Sequence, residues 1–205
     1  MQKLEQLYEG KAKKVFKTDD PEVLMVDYKD DATAFNGEKK GTIASKGIIN
    51  NKVTNHLMKM LEKEGIPTHL IEEVSDRETL VKKVAIVPLE VIIRNVAAGS
   101  FSKRYGVEEG RELCCPSLEF SLKDDALGDP LVTKDGLVAL GVMTEQQYDD
   151  IKAMTQKITE IVADDLREKG LVLYDIKFEY GYAPDGSVML IDEISSGNMR
   201  VYRDG

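Results

Sequence analysis

The amino-acid sequence predicts an α+β fold. Short segments rich in β-branched and aromatic residues, separated by turn signals, are typical of strands, and they fill much of the chain. Two longer segments carry apolar residues at helical spacing. Strands first, followed by strands mixed with two long helices, favour the α+β class. A break near Pro88 predicts two lobes, residues 1–87 and residues 88–205.

Before Pro88 we expect strands and one long helix. In order, the elements are two short strands within 7–17 around Glu9-Gly10, a strand at 22–28, loops at Asp30-Asp31 and Asn36-Gly37, a helix at 45–64, and strands at 69–73 and 79–85. Gly65 and Pro67 end the helix. Its predicted apolar stripe consists of Ile49, Val53, Leu57, Met60 and Leu61.

After Pro88 the pattern changes to longer elements. They are an apolar strand at 89–96, a strand at 118–122, a polar loop at 123–130, a helix from Thr144 to Gly170, and strands at 171–180 and 187–194. Thr144 and Gln147 fit a capping box, and Gly170 fits the C-terminal cap. The expected core stripe of this helix is Ile151, Met154, Ile158, Ile161, Val162 and Leu166.

The last two predicted strands form a hairpin that carries acidic residues. If Asp185-Gly186 is a two-residue loop, residue i faces residue 371 − i, and Glu179 faces Asp192. Like charges paired across strands repel, so this pair calls for a cation, and Mg²⁺ prefers such oxygen ligands. The alternative is a solvated hairpin face on which Lys177 neutralises its neighbours. The residue types alone leave both readings open.

Composition excludes several classes of protein. The 205 residues carry a net charge of −9, which argues against a general binder of nucleic acids or anionic membranes. No apolar run is long enough for a membrane span, and the N-terminus lacks a signal-peptide core. The only cysteines, Cys114 and Cys115, are adjacent and fit reduced thiols in a cytoplasmic protein.

Two basic motifs could bind anions. Gly10 lies at a strand turn, with Lys11 and Lys13 on one face of the next strand, which suits a polyphosphate or simply a solvated hairpin. Arg94 interrupts an apolar strand, so it needs an anion, either a structural carboxylate or a ligand. Ser100 follows closely and offers a hydroxyl to the same anion. Lysines, arginines and apposed carboxylates together suit phosphoryl transfer.

These residues, in this order, resemble the SAICAR synthetase family, which acts in purine biosynthesis. The matching segments span nearly the whole chain: Leu7-Tyr-Glu-Gly-Lys-Ala-Lys13, Lys46-Gly-Ile-Ile-Asn-Asn51, Val87-Pro-Leu-Glu90, Arg94-Asn-x-Ala-Ala-Gly-Ser100, Asp129-Pro130, Asp175-x-Lys-x-Glu179 and Asp192-Glu-x-Ser195. The chain departs from the family pattern where Ser196-Gly197 replaces a family Pro-Asp and where Tyr202 replaces a family tryptophan.

The resemblance implies an ATP- and Mg²⁺-dependent ligase with two lobes and ATP in the cleft between them. Its substrates would be L-aspartate and CAIR, the carboxylated aminoimidazole ribonucleotide. The implied nucleotide-binding residues are Gly10, Lys11, Ala12, Lys13, Lys82 and Ile86 in the N-terminal lobe, with Glu179 and Asp192 holding Mg²⁺. Lys177 and Asp175 would be catalytic. The implied substrate-binding residues are Arg94, Ser100, Lys123, Asp129, Ser195 and Arg200.

By the same resemblance, the ATP γ-phosphoryl group would pass to the CAIR carboxylate, and the aspartate amine would attack the resulting acyl phosphate. A small-molecule kinase is the second enzyme reading, because the same groups serve transfer to a hydroxyl. The family usually continues beyond residue 205 into a helical segment, so a nucleotide-binding protein inactive through truncation is the third. A homodimer is left open.

Overall fold

The computed structural model describes residues 1–34, 39–42 and 44–203, and the chain divides into two units. The first contains Met1–Ala85 together with Glu193–Ser195. The second contains Ile86–Asp192 and the chain from Ser196 onward. The loop predicted at Asn36-Gly37 lies outside the described residues.

The first unit is built on a five-stranded antiparallel sheet. Its elements are β1 (Lys3–Glu9), β2 (Lys13–Thr18), β3 (Val23–Tyr28), β4 (Asp31–Ala34), β5 (Lys39–Thr42), α1 (Lys46–Lys63), β6 (Leu70–Glu73) and β7 (Glu78–Lys82). The sheet order is β1-β2-β3-β7-β6, while β4 and β5 form a separate pair. The predicted strands around Glu9-Gly10, the strand at 22–28 and the long helix are confirmed.

The buried face of α1 is more polar than its sequence predicts. Ile49, assigned to the apolar stripe, is 57% exposed, whereas Leu57 and Leu61 are buried as expected. Asn51 and Thr54 are buried instead, because each forms hydrogen bonds with backbone groups of segments that pack against the helix. The Asn51 amide donates to the carbonyls of residues 75 and 76, both at 3.0 Å.

Thr54 anchors a distant segment of the chain to the first unit. Its hydroxyl donates to the carbonyl of Ile194 at 3.1 Å and accepts from the Ile194 amide at 3.2 Å. This two-way contact satisfies both backbone groups of a buried residue. It explains why residues 193–195 belong to the first unit although their neighbours in sequence belong to the second.

The second unit is built on a six-stranded sheet and three helices. Its elements are β8 (Ala85–Ile86), β9 (Leu89–Val96), α2 (Gly99–Tyr105), β10 (Glu112–Leu122), α3 (Lys134–Ala139), α4 (Glu145–Glu168), β11 (Leu171–Tyr182), β12 (Val188–Ile191) and β13 (Met199–Arg203). The order is β10-β9-β11-β12, with β8 and β13 also beside β11. The capping box of α4 is present as predicted, whereas α2, α3 and β13 were not predicted from the sequence.

Helix α4 packs against the apolar face of this sheet. Ile151, Ile158, Val162 and Leu166 of the predicted stripe are buried, whereas Met154 and Ile161 are only partly buried. Two threonines complete the buried face, and Thr155 shares a 2.6 Å hydrogen bond with the hydroxyl of Tyr180. No helix in the described part of the chain is long and apolar enough to cross a membrane.

The register predicted for the β11–β12 hairpin is wrong by one residue. Glu179 pairs with Ile191 and Tyr182 with Val188, so residue i faces residue 370 − i. The loop has three residues, because the Ala183 amide bonds the Ser187 carbonyl at 2.8 Å. Gly186, at φ 86°, takes the left-handed position that such loops require.

Candidate active site

One face of the sheet in the second unit is lined with charged groups. Strand pairing aligns Arg94 with Ser117 on one side and with Asp175 on the other, and Ile92 with Glu119 and Lys177. Because alternate residues share a face, Glu90, Arg94, Glu119, Asp175 and Lys177 point to the same side. Residues 90 and 94 of one strand lie roughly 13 Å apart, which separates the face into two ends.

The arginine cluster occupies one end and consists of Arg94, Arg104, Arg200, Glu119 and Asp175. Arg94 is 3% exposed, so its charge must be compensated within the protein. Its Nε donates to Glu119 at 2.6 Å, and its Nη1 donates to Asp175 at 2.7 Å and to the Ala98 carbonyl at 3.1 Å. The structural carboxylate that the sequence analysis allowed for Arg94 is therefore present, twice.

Asp175 links the buried arginine to an exposed one. Its Oδ2 accepts from Arg94 and also, at 2.6 Å, from Nη1 of Arg200, whose side chain is 46% exposed. A Cβ added at Gly99 would lie 2.6 Å from Nη2 of Arg200, so the guanidinium rests against bare backbone there. Gly99 also has φ 55°, and an alanine would therefore disturb both the turn and Arg200.

Ser100 lies between the guanidinium groups of Arg94 and Arg104. Its Oγ accepts from Nη2 of Arg94 at 3.0 Å and from Nη2 of Arg104 at 3.4 Å. Three guanidinium groups and two buried carboxylates give the cluster a net charge of +1. Glu109, on an exposed loop, adds a carboxylate at its edge by accepting from the Gly99 amide at 3.1 Å.

The acidic end of the face has the opposite balance. It consists of Glu90, Glu179, Asp192, Lys123 and Lys177. Nζ of Lys123 bonds Glu179 at 2.5 Å, and Nζ of Lys177 lies 3.6 Å from Glu90. Three carboxylates and two ammonium groups leave a net charge of −1.

Glu179 and Asp192 come together despite the corrected register. Asp192 lies just beyond β12 at φ 65°, and this left-handed backbone turns the chain so that the two carboxyl groups hydrogen-bond. Burial, that hydrogen bond and the charge of Asp192 raise the pKa of Glu179 to about 7, while Lys123 acts to lower it. The pair therefore gains from an added cation.

These two carboxylates fit a magnesium ion that also binds phosphates. Mg²⁺ typically takes one or two protein carboxylates and fills its remaining positions with water and substrate phosphate oxygens. Among the described residues, no three acidic, histidine or cysteine side chains converge at metal-binding spacing. The protein thus offers a two-carboxylate site, which suits a metal brought with a nucleotide better than a metal enclosed by protein.

The Gly10–Lys13 motif lies in the first unit and forms a tight turn. The Gly10 amide donates to the Lys13 carbonyl at 2.8 Å, and the Lys29 ammonium donates to the Gly10 carbonyl at 3.1 Å. The prediction that Lys11 and Lys13 share a strand face is wrong, because β2 begins only at Lys13. Lys11 and Ala12 belong to the bend before it, with the side chain of Lys11 exposed.

Four other predicted site residues lie outside the arginine cluster and the acidic end. Lys82 is exposed with its ammonium 3.5 Å from the Thr68 carbonyl, and Ile86 is 61% exposed. Asp129 closes its own loop by accepting from the Asp124 amide at 2.8 Å. Ser195 is fully buried and donates to Glu193 at 2.6 Å, so its hydroxyl has no access to a substrate here.

Three charged residues of the site were not predicted from the sequence. Glu119 and Arg104 belong to the arginine cluster, and Glu90 belongs to the acidic end. The position of Glu119 between Leu118 and Phe120 in a strand was a usable signal, because alternation puts it opposite the apolar side. Arg104 gave no such signal, since α2 was not expected.

An α+β enzyme with an anion-binding and a cation-binding end on one sheet face is the class that this site defines. The chain belongs to the SAICAR synthetase family, whose family model matches residues 6–205. The phosphoribosylaminoimidazole-succinocarboxamide synthase of Lachnoclostridium phytofermentans is 59% identical to it over 98% of this chain and 86% of its own length. The predicted family, fold class and enzyme class, a ligase that forms SAICAR, are confirmed.

Solved structures agree with this assignment. The crystal structure of the same synthase from Ehrlichia chaffeensis has a TM-score of 0.95 at 40% identity, covering 98% of this chain and 86% of that one. A SAICAR synthetase solved in complex with ADP has a TM-score of 0.93 at 40% identity, covering 98% and 84%.

Proposed function

We propose that this chain joins L-aspartate to the carboxylate of CAIR with hydrolysis of ATP to ADP and phosphate. The observation that carries the proposal is the opposite charge of the two ends of one sheet face. CAIR has a phosphate at one end and a carboxylate at the other. The relative that binds ADP supports ATP as the second substrate.

The two ends orient CAIR. Its phosphate binds at the arginine cluster through Ser100 and Arg200, with Arg94 holding both in position. Its carboxylate then lies toward Lys177 and Lys123 at the acidic end. Charge complementarity alone selects this direction, because the reverse would bring the phosphate to three carboxylates.

The nucleotide-binding residues that we propose fall into separate groups. Gly10, Lys11, Ala12 and Lys13 bind the ATP phosphates, since a glycine-containing bend with the exposed ammonium of Lys11 suits a polyphosphate. The backbone from Lys82 to Ile86 binds the adenine. Glu179 and Asp192 hold Mg²⁺, which when bound neutralises phosphate charge.

The reaction needs an activated carboxylate, because oxide is too poor a leaving group. A carboxylate oxygen of CAIR attacks the γ-phosphorus, and the bond to the ADP oxygen breaks. The aspartate nitrogen then attacks the acyl carbon, loses a proton, and the C–O bond to phosphate breaks to leave the amide. Lys177 stabilises the charge on the transferred group. Asp175 acts through Arg94 and Arg200 rather than on the reacting atoms.

Lys123 and Asp129 line the substrate side in this proposal. Lys123 pairs with Glu179 and is 48% exposed, so its ammonium would have room to turn toward the CAIR carboxylate if Glu179 and Asp192 held Mg²⁺ instead. We place the enzyme in the cytoplasm, where the exposed thiols of Cys114 and Cys115 stay reduced.

Omission of single components tests this function. ADP release is measured with ATP, Mg²⁺, CAIR and aspartate, and then with each one left out. We expect ADP release to require all four and to match the SAICAR formed. ADP release with CAIR but without aspartate, at the full rate, would point to a kinase. ATP binding without ADP release in any mixture would point to an inactive nucleotide-binding protein.

A further inference from the structure

Glu119 connects the buried arginine of the cluster to an exposed one. The side chain is buried, and its two oxygens bind different partners. Oε2 accepts from Nε of Arg94 at 2.6 Å, and Oε1 accepts from Nη1 of Arg104 at 3.2 Å. A carboxylate shared in this way fixes the spacing of two guanidinium groups, because each bond is charge-assisted and directional.

The two arginines differ in what they can still bind. A guanidinium has five N–H donors. Arg94 makes four described hydrogen bonds and is 3% exposed, which leaves it little to offer a ligand. The side chain of Arg104 is 30% exposed and makes two described hydrogen bonds, so three of its donors remain for an anion.

Ser100 shows where that anion would bind. Both described contacts of Ser100 use its oxygen as the acceptor, once from Arg94 and once from Arg104. A hydroxyl oxygen that receives two guanidinium N–H groups has its own hydrogen left to donate, and it is polarised to donate to negative charge. Arg104 and the Ser100 hydroxyl therefore present donors side by side.

We propose that Arg104 is a further contact for the substrate phosphate and that Glu119 is the positioning residue that holds Arg104 there. This inference rests on the function proposed above, because that function supplies a phosphate-bearing substrate. Glu119 thus does more than neutralise Arg94. Asp175 already gives Arg94 one carboxylate, whereas Glu119 is the carboxylate that Arg104 binds among the described ion pairs.

Steady-state kinetics of Arg104→Ala and Glu119→Gln test the proposal. We expect each to raise KM for CAIR about 10-fold, the loss of one charge-assisted hydrogen bond, with kcat and KM for ATP unchanged within about twofold. The matched control is Lys103→Ala, which removes the same charge from the neighbouring exposed position of α2 and should leave KM for CAIR unchanged. If Glu119 acts through Arg104, KM for CAIR in the double variant should not exceed the higher of the two KM values measured for the single variants.

A second measurement covers the case in which Glu119→Gln folds poorly. Ribose 5-phosphate, as a competitive inhibitor against CAIR, should show a Ki raised by a similar factor in Arg104→Ala, which leaves the buried pair of Arg94 and Glu119 intact. Equal KM and Ki in Arg104→Ala and Lys103→Ala would overturn the proposal while aspartate-dependent turnover still supported the proposed function. Loss of aspartate dependence in the unmodified chain would instead reject the proposed function.

Discussion

The two ends of the charged sheet face handle buried charge in opposite ways. At the arginine cluster, each buried charge has partners of opposite sign: Arg94 bonds Glu119 and Asp175, and the excess positive charge lies on exposed side chains. At the acidic end, Glu179 and Asp192 face each other, and the pKa of Glu179 is raised to about 7. The buried charges of the arginine cluster are therefore compensated within the protein. The two carboxyl groups of the acidic end, in contrast, would be stabilised by an added cation.

This difference shows which end depends on its ligand for stability. Removing a partner from a completed buried network exposes the protein to an uncompensated charge. Removing a carboxylate from a repelling pair relieves the folded state but deprives a metal of its ligand. Substitutions at the two ends should therefore have opposite signatures in stability and in binding.

The largest effect is expected for Asp175→Ala. The substitution leaves Arg94 buried with one carboxylate fewer and frees Arg200. Breaking such a buried pair costs about 3–5 kcal/mol of unfolding free energy. Urea unfolding of the metal-free protein measures it, with Asp164→Ala, at an exposed pair on α4, as the control. A loss below 1 kcal/mol would show that Arg94 does not need this partner.

Glu179→Gln and Asp192→Asn should weaken Mg²⁺-dependent ADP binding at the other end. We expect at least about a 10-fold loss in each, since even outer-shell changes cost 10–100-fold at metal sites. Calorimetric titration of ADP at fixed Mg²⁺ gives the constants, with Glu160→Gln on the exposed face of α4 as the control. Unchanged binding constants in both variants would show that these carboxylates do not bind the metal.

The pH dependence of metal-free stability separates the ends further. The folded-state pKa of Glu179 is about 7 and its ordinary value is 4.5, so the native state holds this proton more tightly. The contribution of Glu179 to stability is therefore present below pH 4.5 and is lost as pH rises to 7. Between pH 5 and 8, the unmodified protein should lose more unfolding free energy than Glu179→Gln. Parallel losses would contradict the raised pKa.

A small effect in the favourable direction is expected for Glu109→Gln. Glu109 brings an exposed carboxylate to the edge of the arginine cluster, where it repels the substrate phosphate. KM for CAIR should fall by about twofold at low salt, and the gain should shrink at higher ionic strength because exposed charges are screened. Glu108→Gln, also on that exposed loop, is the comparison. A raised KM would mean that Glu109 helps to hold the site.

Much of the fold could be predicted because local patterns determine it. The capping box of Thr144 and Gln147 and the apolar stripe of α4 depend on neighbouring residues, and both are confirmed. The predicted register of the hairpin was wrong because the loop has three residues, Pro184 to Gly186. A turn signal in the sequence does not distinguish such a loop from a two-residue loop. The prediction of the buried face of α1 was partly wrong because Asn51 is buried to donate a hydrogen bond to the carbonyl of Ser75, which is distant in sequence.

The candidate site shows the same division. That Arg94 requires an anion follows from a charge within an apolar strand, and the structure supplies Glu119 and Asp175. Which carboxylate it would meet could not be predicted, because pairing between β9, β10 and β11 decides it. The meeting of Glu179 and Asp192 was predicted for the wrong reason: it depends on the left-handed backbone of Asp192.

Substrate orientation along the face is tested most directly by removing the phosphate from CAIR. The measurement is kcat/KM for CAIR and for its dephosphorylated nucleoside, in the unmodified chain and in Arg200→Ala. If the phosphate binds at the arginine cluster, Arg200→Ala should lose about 10-fold or more with CAIR and less than about twofold with the nucleoside. An equal loss with both substrates would contradict this orientation, because Arg200 would then act on a part of the substrate that both share.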